Sequence, residues 1–209
     1  MICYASRTGT SRNLDALRDA DWGLLVSRAG RWRTEGFGEW CGDNGAWSDY
    51  QNGRGFDDDA FERFLEWAAT QTPPRFIVLP DIVAGGLRSL ELSMRWSNRC
   101  RSVAPMVLLA VQDGMTEADV APLVSPTVGV FLGGSTPWKI STMAQWGAFC
   151  RRHHIWYHVA RVNTAKRMAM AIAAFAKSVD GTSATRYAKT LPLLDRASRQ
   201  ADIFAGVGT

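Results

Sequence analysis

Met106-Val107-Leu108-Leu109-Ala110-Val111-Gln112-Asp113-Gly114 sets the pattern that the rest of the chain repeats. An apolar run of strand length stops on polar residues and a glycine. Continuous apolarity without alternation belongs to a strand covered on both faces, as in a parallel sheet. Downstream, Val128 to Leu132 closes on Gly133-Gly134-Ser135, Ile155 to Val159 leads to Arg161-Val162-Asn163, and Phe175 to Val179 delivers Asp180. Upstream, Met1 to Ser6 and Gly23 to Ser27 read as strands. A third begins at Glu39 to Cys41, ahead of Asp43-Asn44-Gly45-Ala46-Trp47, and Phe76 to Leu79 ends in Pro80-Asp81.

Helical patterns fill the gaps. Thr10 or Ser11 caps a segment carrying Leu14 and Leu17. Asp57-Asp58-Asp59 puts acid at the positive end of a helix whose Phe61, Phe64, Leu65 and Ala68 share one face, and Pro73-Pro74 stops it. Further helices are expected over Leu87 to Asn98, from Thr116, from Trp138 to His153, from a Thr164 or Asn163 cap through Ala176, and over Lys189 to Phe204. About eight strands in strict alternation with helices, in units of roughly 25 residues, predict an α/β chain folded as a compact single (β/α)8 TIM barrel over residues 1–209. An open doubly wound sheet is the alternative.

Composition bounds the rest. The 209 residues are 46% hydrophobic and 21% charged, a globular balance that excludes disorder. A net charge of +4 is compatible with a polyanionic partner. Most of the 9 tryptophans are expected in the core or between helices, leaving a minority free to stack on bases. Cys3, Cys41, Cys100 and Cys150 are scattered with no C-x-x-C pair, so they read as reduced thiols and not as a zinc ribbon. With no signal-like start and no membrane-length apolar run, a cytoplasmic protein without membrane contact is expected.

In a parallel barrel the carboxy-terminal strand ends meet at one mouth. Asp43, Asp81, Gln112, Gly133-Gly134, Arg161 and Asp180 would therefore converge. Each has a duller reading alone: Asp43-Asn44-Gly45 as a turn, Asp81 as a helix cap, Gly133-Gly134 as a tight turn. Together they form a chemical set. A carboxylate pair supports glycosyl chemistry, one attacking the anomeric carbon and the other moving protons at the leaving group. Asp81 with Gln112 matches guanine, which offers two adjacent N–H groups and a carbonyl. Trp47 can stack on that base or serve as a core aromatic. Arg7, Arg12, Arg33, Lys139, Arg161, Lys166 and Arg186 are candidates for phosphate contacts, with Arg161 and Arg186 favoured because they flank the site. Arg151-Arg152-His153-His154, at a helix carboxy terminus, reads as structural.

These residues resemble the tRNA-guanine transglycosylase superfamily. Asp180 with Thr185-Arg186 is similar to its nucleophile segment. Asp43-Asn44-Gly45-Ala46-Trp47 resembles the segment carrying its proton-handling Asp and stacking ring. Pro80-Asp81 resembles its guanine-reading Asp, and Val111-Gln112-Asp113-Gly114 its Val-Gln-Gly-Gly. Gly133-Gly134-Ser135 resembles its Gly-Gly-Leu, and His158 to Thr164 the strand before the nucleophile. The 29 residues after Asp180 hold no Cys or His, so the family's zinc subdomain is expected to be missing. The compact form looks more like the phage-type DNA-guanine transglycosylases (the DpdA group). Ser135 and Asn163 depart from the family's Leu and Gly.

The resemblance implies exchange of guanine in DNA for a free 7-deazaguanine such as preQ0, in a host cytoplasm if phage-encoded. It implies catalytic Asp180 and Asp43, base-binding Asp81, Gln112, Gly133, Gly134 and Trp47, phosphate-binding Arg186 and Arg161, and no cofactor or metal. A homo-oligomer is compatible. A tRNA-acting transglycosylase, a hydrolytic purine glycosylase and a non-catalytic nucleic-acid-binding barrel remain as alternatives.

Overall fold

The computed structural model describes residues 1–6, 10–34, 36–186 and 189–205, with the side chains of Arg186 and residues 200–205 outside the description. Strands β1 (Ile2–Ser6), β2 (Gly23–Ser27), β3 (Trp40–Asp43), β4 (Ile77–Val78), β5 (Val107–Val111), β6 (Val128–Leu132), β7 (Tyr157–Val159) and β8 (Ser178–Gly181) close into one parallel barrel. The closing pair is β1 with β8, in the register Cys3 opposite Val179 and Tyr4 opposite Asp180. The expected (β/α)8 barrel is therefore the fold.

Helices α1 (Ser11–Asp19), α2 (Ala46–Gln51), α3 (Asp58–Ala68), α4 (Leu87–Arg101), α5 (Glu117–Val120), α6 (Thr136–Arg152), α7 (Ala165–Ala173), α8 (Ser183–Arg186) and α9 (Thr190–Ala205) alternate with the strands. Their starts follow local chemistry. The Asp57 carboxylate accepts the Ala60 N–H at 2.9 Å to cap α3, and Thr164 caps α7 by accepting the Arg167 N–H at 3.2 Å. Thr116 and Asp119 form a reciprocal capping box on α5. The expected helix ends shift by a few residues, as fraying turns do. Helix α2 was not expected: Asp43 to Trp47 reads as a loop, yet Gly45 at a φ of +77° turns the chain directly into it.

Side chains alternate between two cores, and that alternation builds the site. Outward residues such as Leu24, Val26, Trp40, Ile77, Val107, Leu109, Val130, Val159 and Val179 pack under the helices. Inward residues Tyr4, Leu25, Cys41, Phe76, Val78, Leu108 and Ala110 fill the barrel, joined by Phe131 and Trp156. A period of two carries each inward column one step further along its strand. The step from Cys41 is Asp43, from Ala110 it is Gln112, and from Trp156 it is His158. On β8, Val179 faces out, so Ser178 and Asp180 face in. The barrel axis is thus apolar in the middle and polar at its carboxy-terminal end.

The opposite end is closed by its own polar knot. The Tyr4 hydroxyl donates to Glu39 Oε1 at 2.5 Å, and the Arg75 guanidinium donates to both Glu39 oxygens at 3.1 and 2.7 Å. Although burial opposes it, Arg75 and Tyr4 hold Glu39 below the usual carboxylate range. All four cysteines are free and buried.

Candidate active site

Asp180 is the next-to-last residue of β8, the strand that closes the barrel. It is buried, with 6% of its side chain exposed, and its contacts are specific. His158 Nε2 lies 2.9 Å from Asp180 Oδ1, and the Arg161 backbone N–H donates to the same oxygen at 3.2 Å. Oδ2 takes neither bond. The Val162 N–H donates to the Asp180 carbonyl at 2.6 Å, tying the loop after β7 to β8.

Asp43 arrives on β3. Its Oδ2 accepts the Gly45 N–H at 3.1 Å. Burial pushes the Asp43 carboxyl up; a Ser27 hydrogen bond pulls it back, and the Asp180 charge adds to the rise. The two carboxylates therefore feel each other across the mouth. Their loop is held from behind by Arg28, which is buried in an ion pair with Asp49 and donates through Nε to the Asn44 carbonyl at 2.7 Å. Gly45 has no substitute here: besides its left-handed φ, a Cβ would lie 2.9 Å from Arg28 Nε.

Asp81 follows β4 and is gripped from both sides. Asn44 Nδ2 donates to its Oδ1 at 2.8 Å, and Gln112 Nε2 donates to its Oδ2 at 3.3 Å. Burial pushes Asp81 up to about 6, with the Asn44 bond opposing and the Asp43 charge contributing. Gln112 is 2% exposed and also donates to Ser89 Oγ at 2.9 Å. Its amide hydrogens thus hold Asp81 in place, where the sequence reading gave it a direct contact with the base. Asn44, given no role in that reading, orients the same carboxylate, and Ser89 holds Gln112 from behind. Asn44 also donates to the Leu79 carbonyl at 2.6 Å.

Arg161, at a φ of +57°, crosses the opening. Its guanidinium donates to the Gly134 carbonyl and lies 4.7 Å from the Trp47 ring centre. One residue thus touches the ends of β6 and β8 and the aromatic beyond β3. Trp47 is 45% exposed and stacked on exposed Tyr50 at 5.7 Å. Of the tryptophans it is the one left open at the mouth, against the alternative of a core aromatic. The Gly133-Gly134 turn is braced by Asp113, which accepts from the Ser135 N–H and hydroxyl, both at 2.6 Å. Despite some burial, these bonds hold Asp113 below the ordinary carboxylate range. Ser135, where the resemblance has Leu, is thus a brace and the cap of α6. Asn163, where it has Gly, accepts the Ser183 N–H at 3.0 Å and anchors the turn after Asp180.

The phosphate candidates divide. Arg12, Arg33 and Lys166 are exposed, and Arg161 lies over the mouth. Lys139 is corrected: it is 2% exposed, pointed inward so that Nζ donates to the Ala160 carbonyl at 2.5 Å, and cannot reach a phosphate. Burial drives Lys139 down to about 7, with the Arg161 charge adding. Arg7 and the side chain of Arg186 lie outside the described residues. Arg151 and Arg152 hold structure, the first over the Phe175 ring at 4.4 Å and the second paired with Glu117.

Residue His158 received no role of its own in the sequence reading. It sits in mid-strand within an apolar run, and its one signal is parity: it shares a face with the strand-end polar groups. Two concavities of about 370 and 400 Å³ lie at the amino-terminal end, beside Glu39 and beside Trp156 and Lys177, away from the carboxylates. Among the described residues no group of three or more His, Cys, Asp or Glu is placed to hold a metal ion, and no helix is long and apolar enough to cross a membrane.

No family model and no curated protein matches the chain. Among solved structures it is similar to one described as "Native KDPGal structure", with a TM-score of 0.55 and 12% identity over 97% of each chain. It is also similar to a "cube-shaped, highly porous protein cage designed by fusing symmetric oligomeric domains", with a TM-score of 0.57 and 12% identity over 99% of this chain and 75% of that one. At such identity the likeness shows the barrel fold, a fold whose enzymes place their chemistry at the carboxy-terminal mouth.

Proposed function

We propose that the mouth is a base-exchange site, at which guanine in DNA is replaced by a free 7-deazaguanine through an aspartyl-glycosyl intermediate. The observation that carries the reading is the meeting of Asp43, Asp81 and Asp180 beside the open ring of Trp47. The ordered resemblance of their segments to guanine transglycosylases supplies the substrate class.

Asp180 Oδ2 attacks C1′ of the target nucleotide, and the C1′–N9 bond breaks with its electron pair on the departing guanine. Asp43, whose carboxyl is raised by burial, holds the proton that neutralises that base. In the second half the incoming base gives its N9 proton to Asp43, N9 attacks C1′, and the C1′–Oδ2 bond breaks. Two displacements retain configuration. Asp81 accepts from the N1–H and amino group of either base, held in plane by Asn44 and Gln112. The base stacks on Trp47 where Arg161 now lies, so Arg161 swings out towards the strand or covers the base from above. The target nucleotide leaves the helical stack to enter.

Incubation with guanine-containing DNA or with tRNA and isotopically labelled guanine tests the reading. Label is expected in DNA, and Asp180→Asn is expected to lose incorporation by several orders of magnitude. Undiminished incorporation by Asp180→Asn removes the assignment. Incorporation confined to tRNA moves the substrate class to RNA, and an abasic product makes the protein a glycosylase.

A further inference from the structure

Asp180 does not meet solvent on its inner side; it meets a chain of hydrogen-bonding groups running back into the barrel. Trp156 Nε1 donates to Ser178 Oγ at 2.8 Å. Ser178 Oγ lies 2.8 Å from His158 Nδ1, and His158 Nε2 lies 2.9 Å from Asp180 Oδ1. Ser178 and His158 are both fully buried. Around the imidazole the walls are aromatic: Phe131 stacks on it at 4.9 Å and 5°, Phe76 meets it edge-on at 5.3 Å, and Tyr4 lies 6.2 Å away.

The donor inventory orders this chain. An indole nitrogen only donates, so Ser178 Oγ accepts from Trp156. The single hydroxyl hydrogen of Ser178 is then available to the imidazole, and Nδ1 is the acceptor within reach. A neutral imidazole whose Nδ1 accepts carries its hydrogen on Nε2. That hydrogen points at Asp180 Oδ1. The opposite tautomer would set a bare Nε2 against a carboxylate oxygen, two acceptors 2.9 Å apart.

The geometry points to a positioning relay in which Trp156 and Ser178 hold His158 as an Nε2–H donor to Asp180. The relay rests on the proposed function only for what Asp180 does. With Oδ1 engaged by His158 and by the Arg161 N–H, rotation of the carboxylate is stopped and Oδ2 is presented to the mouth. His158 touches no substrate; it acts through Asp180.

The tautomer is read directly from the imidazole nitrogens of ¹⁵N-labelled full-length protein by long-range proton–nitrogen correlation. The chain has 3 histidines, and loss of one set of signals in His158→Gln identifies the buried ring. The expected result is an unprotonated Nδ1 and a protonated Nε2. Ser178→Ala, which leaves Nδ1 without its donor, is expected to admit the other tautomer or the imidazolium. It is also expected to slow single-turnover formation of the glycosyl-enzyme roughly ten- to a hundredfold, the weight of the hydrogen bond that His158 gives the Asp180 carboxylate, with base affinity unchanged. His158→Gln, which keeps an amide donor, is expected to retain more of that rate than His158→Leu. A protonated Nδ1 in the unaltered protein overturns the relay, and so does Ser178→Ala with unaltered imidazole and rate. The spectrum needs no turnover. The expected tautomer in a protein that exchanges no base upholds the relay and removes the proposed reaction.

Discussion

On the proposed reading, Asp81 concentrates the chemistry of base recognition in one carboxylate. Burial raises it to about 6, so it titrates near neutrality, and only its ionised form accepts two N–H groups at once. The sign follows. Ionising Asp81 costs folded-state stability as pH climbs from the ordinary carboxylate range to about 6, and a bound purine offsets that cost by supplying the missing donors. Affinity for guanine or a 7-deazaguanine, followed by Trp47 fluorescence, is expected to be flat above pH 7. It should weaken roughly tenfold for each pH unit well below the Asp81 transition. Asp81→Asn is expected to bind weakly with no such slope. A flat profile in the unaltered protein would separate Asp81 from base recognition. This residue was legible from sequence because Pro80-Asp81 punctuates an apolar run. Its support was not: Asn44 and Gln112 come from the ends of two other strands, and only their pairing in the barrel brings them to it, with Ser89 behind Gln112.

Elements set how firmly the mouth is held. The loop between β3 and α2 hangs on buried Arg28, which no motif singled out because an arginine beside Gly-rich sequence looks solvated. Arg28→Met leaves Asp49 buried without its partner, a loss of about 3–5 kcal/mol. Denaturant unfolding is expected to show it, and Arg28→Met with Asp49→Leu is expected to recover most of it. Helices α6 and α7 make a second test. A Cβ at Gly147 would lie 2.0 Å from the Ala174 carbonyl oxygen, a backbone atom with no rotamer to yield. Alanine gains about 1 kcal/mol of helix propensity, but overpacking costs about 1–3 kcal/mol. Gly147→Ala is therefore expected to lower Tm by a few degrees; a raised Tm would contradict the tight crossing. Strands and most helices were readable because burial on both faces writes continuous apolar runs and Pro or Asp punctuates them. Short α2 was not, since its Asp49 and Gln51 break the apolar pattern and its start depends on the backbone turn at Gly45.

At the scale of the whole molecule, parallel closure with alternating side chains sends one column of polar residues to a single end. The repeat of apolar runs ending on polar groups therefore held both the fold and the candidate site. Buried partners such as His158 and Lys139 could not be ranked from sequence, because their direction depends on strand parity and helix docking. The amino-terminal knot of Tyr4, Glu39 and Arg75 ties the other end of the barrel interior. The most direct measurement is mass analysis of peptides from the protein quenched during reaction with a guanine-containing oligodeoxynucleotide. A deoxyribosyl adduct on the peptide holding Asp180, lost in Asp180→Asn, is the result predicted. Base exchange that proceeds in Asp180→Asn, or an adduct carried by another residue, would contradict it.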